Sequence, residues 1–178
     1  MRNDDLCGGQ LAAEYLIGLG HRRIAFISGP ERATPSQLRL QGCRKALQQA
    51  GLSIPSHWVV QGTGLPEAGE RAARLLMRHT PPPTAIFCYN DMTAMGALHE
   101  VKRNGFAVPR DVSIIGYDDI AAAAYLDPPL TTVAQAKYTL GHRAMEMTLD
   151  LIRGQETAHD VLLRPELTVR SSCGPPRE

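Results

Sequence analysis

Apolar and polar positions follow two alternating periods along this chain. "RIAFIS" (23–28) is a short apolar run bounded by charge and by Gly29-Pro30, which predicts a strand. "TPSQLRLQGCRKALQQAG" (34–51) then places Leu40, Cys43, Leu47 and Ala50 at helical spacing. Its opening Thr34-Pro35-Ser36 supplies a cap and a first-turn proline. The pair recurs as "HWVVQ", a strand, and "LPEAGERAARLLMRH", a helix with Pro66 in its first turn. It recurs again as "TAIFCY" (84–89) and "NDMTAMGALHEVKRNG", a helix with Asn90 as cap and Gly105 as stop. "DVSIIGY" is a further strand. Ahead of them all, "LAAEYLIGL" (11–19) puts Leu11, Tyr15 and Leu19 on one helical face, with Gly20 as its stop.

Strand starts near 24, 58, 85 and 112 are 34, 27 and 27 residues apart, the spacing of βαβ units. Strands that read as near-continuous apolar runs are buried on both faces, so the prediction is an α/β fold: a doubly wound parallel sheet. The tail departs from this rhythm. "YTLGHRAMEMTLDLIRG" (138–154) sets Leu140, Ala144, Met147 and Leu151 on one helical face, and "DVLLRPELTVRSS" (160–172) reads as two short strands interrupted by Pro165.

This topology turns sequence positions into a site. In open parallel sheets ligands bind outside the carboxyl ends of the strands. Asn90 and Asp91 follow one such end, Asp118 and Asp119 another, and residues 34–39 line the same edge. Arg39, Asn90 and Asp118 thus offer a forked donor, an amide and a carboxylate, a set suited to a polar or polyhydroxylated small ligand. Each has a plainer reading. Arg39 is equally a solvated or ion-paired arginine, Asn90 a helix cap, and the two acids loop acids. Of those acids, Asp119 is the expected cap of the short helix "IAAAAYL" and Asp118 the expected ligand group.

Composition removes several other classes. A net charge of +1 provides no general attraction to nucleic acid or to an anionic membrane. No apolar run approaches the roughly 20 residues that span a bilayer, and "MRNDDLCGG" has no signal core, so no membrane is expected and the location is expected to be cytoplasmic. Cys7, Cys43, Cys88 and Cys173 form no zinc spacing and read as small buried thiols in a reducing compartment. The six histidines are dispersed, so no metal or other cofactor is expected. There is no nucleophile elbow, no Walker motif, and "GTG" (62–64) is too short for a dinucleotide fingerprint, so the chain does not read as an enzyme.

Seven stretches, in order and spacing, carry a specific resemblance: "LGHRRIAFISGP" (19–30), "RLQGCRKALQQAGL" (39–52), "PPTAIFCYND" (82–91) with "AMGAL" (94–98), "VPRDVSIIGYDDI" (108–120), "PPLTTV" (128–133) and "LLRPELTVRSS" (162–172). Together they resemble the effector-binding core of the lactose-repressor/galactose-repressor (LacI/GalR) family of bacterial transcription regulators. The resemblance implies a periplasmic-binding-protein-like (type I) fold, two α/β lobes linked by three crossovers and closing on a small-molecule effector such as a sugar, a sugar derivative or a purine-like compound. It implies that Arg39 clamps the ligand, that Asn90 and Asp118 hold its hydroxyls or ring nitrogens, and that residues near Pro35 line the site. It also implies a homodimer, formed through the helix that starts at Asn90 and the stretch 120–126. Two positions depart from the family. Gly64 stands where many members place a stacking aromatic, and Lys137 lies in "QAKYTLG" where others have an aromatic or a Gln-Pro. Lys137 is either solvated or a preference for an anionic effector.

The family's helix-turn-helix domain, hinge and first half-lobe have no counterpart in this chain, so DNA is expected to be reached only through that missing N-terminal domain. Met1 stands where members often carry a strand valine, which suggests an internal start inside a longer reading frame, with a deliberate fragment as the alternative. On this reading residues 1–20 are a remnant of the N-terminal lobe and 21–130 the nearly complete C-terminal lobe. Residues 131–164 supply a crossover, helix and strand of the N-terminal lobe, and 165–178 a return strand and tail. Residues 4–19, 137–153 and 159–164 are then expected to expose uncovered apolar faces. The competing functions are a sugar-binding protein of a transport system, and a hydrolase on the same scaffold using Asp118 or Asp119 as base.

Overall fold

The computed structural model describes residues 2–155 and 161–177. Its elements in chain order are β1 (Arg2–Asn3), α1 (Asp5–Gly18), β2 (Ile24–Ile27), α2 (Thr34–Gln49), β3 (Val59–Val60), α3 (Pro66–Leu76), β4 (Ala85–Cys88), α4 (Asp91–Arg103), β5 (Ser113–Asp118), β6 (Thr131–Ala134), α5 (Lys137–Ile152), β7 (Leu162–Leu163) and β8 (Glu166–Thr168). Six strands form one sheet in the order β3-β2-β4-β5-β6-β8. All neighbours are parallel except β8, which runs antiparallel to β6 at the edge.

Successive strand residues point to opposite faces, and both faces are covered. Ile24 and Phe26 of β2, Phe87 of β4 and Ile115 and Tyr117 of β5 pack under α1 and α2. Ala25 and Ile27, Ile86 and Cys88, and Ile114 pack under α3 and α4. This is why these strands read as unbroken apolar runs: β2 and β4 are buried at every residue. The predicted strand at "HWVVQ" is the weak one. A one-turn 3-10 helix, Ser56–Trp58, takes its first half, and only Val59 and Val60 pair, at a half-buried edge.

Helix α1 differs from expectation in length, phase and packing. It begins at Asp5, where Asp4 caps it by accepting from the Cys7 amide at 2.9 Å. Its buried face is Gly8, Gly9, Ala12, Ala13 and Leu16, not Leu11, Tyr15 and Leu19. The cause is a close crossing with α2. A Cβ on Gly9 would collide with the Arg39 backbone, and one on Gly42 with the Leu6 carbonyl. Small residues therefore form the contact and the larger ones lie beside it. Consequently the uncovered face expected over residues 4–19 is covered on this side: Ala12, Ala13 and Leu16 are fully buried in the core of the six-stranded sheet.

Helix α5 is uncovered, as expected over residues 137–153. None of the residues of α5 is buried. Strands β1 and β7 pair with each other in a separate two-stranded sheet. The start of the strand expected over 159–164 lies outside the described residues. At the opposite end of the six-stranded sheet, buried His21 ties the C-terminal segment down. Its Nδ1 lies 3.0 Å from Thr84 Oγ1, and its Nε2 lies 3.0 Å from Ser113 Oγ and 2.9 Å from the Gly174 carbonyl. Burial holds its pKa below the usual histidine value.

Candidate functional site

The sheet order reverses beside β2: the chain moves outward from β2 to β3, then crosses back to β4. Such a switch point splays the connections on either side and leaves a crevice at the carboxyl ends of the strands. Every residue singled out for the site except Lys137 lies on the connections or helix starts that border it, and Lys137 reaches the same edge from the first turn of α5.

Arg39 is buried in the second turn of α2. Its Nε donates to Asp5 Oδ1 at 2.8 Å and its Nη1 to the Tyr89 carbonyl at 2.6 Å. Its guanidinium carbon lies 3.5 Å from the Tyr117 ring centroid and 4.8 Å from that of Tyr89. Nη1 is also 3.6 Å from Asp118 Oδ1, an ion pair rather than a hydrogen bond. Among the described residues Nη2 has no partner. Arg39 is thus both ion-paired, as the plainer reading had it, and able to present donors to the crevice.

Asn90 is likewise a cap and more. Its Oδ1 accepts from the Thr93 amide at 2.9 Å and the Thr93 hydroxyl at 2.7 Å. Its Nδ2 donates to the Gly64 carbonyl at 3.0 Å, leaving one N–H for a ligand. Gly64, at φ +85°, holds that carbonyl in place in a conformation that favours glycine. Pro35 sits half-buried in the first turn of α2, beside Ser36, whose hydroxyl accepts from the Gly29 amide at 2.8 Å.

Asp118 closes β5 with φ 110°, and Asp119 follows at φ 51°. Two consecutive non-glycine residues in this region are strained, and such strain needs surrounding contacts to persist. Asp91 supplies them. Fully buried, it accepts from the Ile120 amide at 2.8 Å and the Thr132 hydroxyl at 2.6 Å. Burial, above all, lifts its pKa to about 6 against those two hydrogen bonds, with Asp118 and Asp119 adding to the rise. Asp119 does not cap the next helix. Ile120 occupies the cap position of Ala121–Tyr125 with no side-chain bond, while Asp119 pairs with Arg170 at 2.7 Å. Burial also raises the Asp118 pKa, opposed by Arg39, Gln135 and Lys137. Lys137 is exposed and donates to the Asp119 carbonyl at 2.8 Å, so it anchors the turn that carries Asp118.

Two members were not singled out from the sequence. Asp5, in the first turn of α1, holds Arg39. Gln135, just past β6, donates to Asp118 Oδ1 and accepts from Asn3 Nδ2. A polar chain therefore runs Asn3–Gln135–Asp118–Arg39–Asp5. It offers carboxylate, amide and guanidinium groups in fixed positions, suited to hydroxyls or ring nitrogens. Among the described residues no cluster of three or more His, Cys, Asp or Glu is placed to hold a metal. Burial raises the thiols of Cys43 and Cys173 to about 12, far from reactive thiolates. No helix among the described residues is long and apolar enough to cross a membrane.

The same fold occurs in known proteins. The periplasmic binding protein-like domain family matches residues 13–173. The transcriptional repressor CytR of Escherichia coli K12 is 41% identical over 170 residues, which are 95% of this chain and 50% of its own length. The complex of the transcriptional regulator CelR with cellobiose superposes with a TM-score of 0.90 at 36% identity, covering 96% of this chain and 52% of that one. A dimeric Lac repressor with an 11-residue C-terminal deletion superposes with a TM-score of 0.92 at 30% identity, covering 98% and 64%. The chain spans about half the length of the curated relatives it matches. It belongs to the periplasmic binding protein-like domain family, on the branch whose members are LacI-type transcription regulators.

Proposed function

We propose that this chain is the effector-sensing and dimerising part of a LacI-type transcriptional repressor acting in the cytoplasm. DNA contact belongs to the part of such repressors that this chain does not span. The observation that carries the reading is the convergence of Arg39, Asn90 and Asp118 at the switch point, with Asp5 and Gln135 fixing them. In this reading the six-stranded body is one lobe of a clamp, and α5 with the β1–β7 pair belongs to the other. A small polar effector bridges the lobes and shifts the balance between two arrangements. The similarity to a regulator solved with cellobiose supports a sugar-like effector.

The dimer surface follows from α4. Met95, Leu98 and His99 of α4 and Leu126 line a groove at its outer side, next to exposed Met92 and Tyr125. The similarity to a dimeric Lac repressor supports pairing, and the apolar lining of this groove is the reason to assign it here.

A thermal-shift screen of sugars, sugar phosphates, nucleosides and purine bases on the complete reading frame tests the proposal. A ligand at about 100 times its Kd stabilises the folded state by roughly 2.7 kcal/mol. The expected hit raises Tm in the wild type and not in Arg39→Ala. If no compound shifts Tm, the effector reading loses its support.

A further inference from the structure

Between the last turns of α3 and α4 lies a cavity of about 120 Å³. It is remote from the crevice. Helix α4 starts at Asp91 beside the crevice and reaches Glu100 and Asn104 roughly 14–20 Å further along its axis. Ala73, Met77, Val101 and Phe106 make the apolar part of the lining, and Arg74, Arg78, Glu100 and Asn104 the polar part.

The carboxylate in this cavity is already engaged. Glu100, only 1% exposed, accepts at Oε1 from Arg74 Nε at 2.5 Å and from Asn104 Nδ2 at 2.9 Å, and its Oε2 pairs with Arg103 Nη2 at 2.7 Å. The guanidiniums are not. Among the described residues Arg74 uses only its Nε, and the Arg78 side chain has no hydrogen-bond or ion-pair partner. A guanidinium carries five N–H donors in a planar fork, so most of the donors of these two residues are left for an incoming acceptor. Glu100 and the carboxyl ends of both helices also bring negative charge close, which opposes a dianion. A single carboxylate on a short apolar stem satisfies the donors, the charge balance and the apolar lining together.

We propose that this cavity is a second ligand site for such a carboxylate, its oxygens held by Arg74 and Arg78 and its stem lying on Met77 and Phe106. The group comes from a free short-chain acid or from a glutamate side chain of a partner protein. The site is independent of the effector crevice.

The test is an NMR titration of the isotope-labelled chain with butyrate, butyramide, inorganic phosphate and a blocked tripeptide carrying glutamate between two glycines. Butyrate, the tripeptide or both should saturably move the amide signals of residues 73–78 and 100–106, while those of Arg39 and Asn90 stay in place. Butyramide should not move them. Arg78→Ala removes an exposed side chain that has no partner among the described residues, and should weaken carboxylate binding about two- to tenfold. Tighter binding of the tripeptide names a partner's side chain as the source, and tighter binding of butyrate names a free acid. Butyramide or phosphate binding as tightly as the carboxylates overturns the proposal, and that comparison needs no variant. Equal binding by wild type and Arg78→Ala, or no saturable shift with either carboxylate, also overturns it and leaves the effector crevice untouched.

Discussion

Asp5 and Arg39 are locked together out of solvent, Nε to Oδ1 at 2.8 Å, with side chains 11% and 5% exposed. They lie on α1 and α2, whose close glycine crossing brings their backbones together. The guanidinium is thus oriented before any ligand arrives, which reduces the ordering cost of binding. The same burial makes the pair a point of vulnerability. Removing one partner of a buried ion pair leaves the other charge uncompensated and costs about 3–5 kcal/mol.

Asp5→Ala should therefore lower the urea midpoint sharply, by an amount corresponding to about 3 kcal/mol or more. Asp5→Asn, which keeps an acceptor for Nε, should lose less. Equilibrium unfolding followed by circular dichroism measures both. Wild-type stability in Asp5→Ala would show that the pair contributes nothing.

Asp118→Asn tests the ligand role separately. A hydrogen bond to a charged group contributes about 1.5–3 kcal/mol, so effector affinity should fall roughly tenfold or more by calorimetry. Because burial raises the Asp118 pKa, wild-type affinity should also weaken as pH falls into the range just above ordinary carboxylate values. The Asn variant should show no such dependence.

Asp91 gives the stability of the fold a pH dependence of defined sign. Its folded pKa of about 6 lies above the ordinary 3.8, so folding favours its protonated form. Its stabilising contribution is complete below about pH 4 and is lost as pH rises through about 6. Between pH 5 and 7.5 the loss is on the order of 1 kcal/mol. Unfolding free energies at those two pH values should show Asp91→Asn gaining about that much on the wild type. A difference that does not change with pH would mean that Asp91 is ionised throughout.

Where the physics was local, the sequence showed it. Strands β2, β4 and β5 are sandwiched between helix layers, and that sandwich is what an unbroken apolar run records. The carboxyl ends of those strands then placed Arg39, Asn90 and Asp118 at one edge. Long-range contacts were not legible. Nothing in the sequence marks Gly9 and Gly42, far apart in the chain, as the contact that lets α1 cross α2, or Gly8 as the seat of the Tyr117 ring. Asp5 reads as an acid favoured by the helix dipole, and nothing marks it as the partner of a residue 34 positions away. Gln135 is an isolated amide whose link to Asp118 exists only once β5 and β6 pair. Asp119 sits where a cap is expected, but its positive φ turns it towards Arg170.

The tail carries the last prediction. Helix α5 buries none of its residues, and Tyr138, Met145, Leu151 and Ile152 are each at least 60% exposed. Leu162 of the neighbouring two-stranded sheet is half exposed as well. Covering one such aliphatic side chain is worth about 1.5–3 kcal/mol, so a shared interface through several outweighs much of the entropy of association. The chain should therefore self-associate as its concentration rises, and sedimentation velocity over a concentration series should show it. A double variant, Leu151→Glu with Ile152→Glu, places two charges on that face and should return the species to its smaller form without lowering the unfolding midpoint, since neither residue supports the core. Association that survives the double variant but is lost on Met95→Glu would move the contact to the α4 groove. A monomer at every concentration would refute both surfaces.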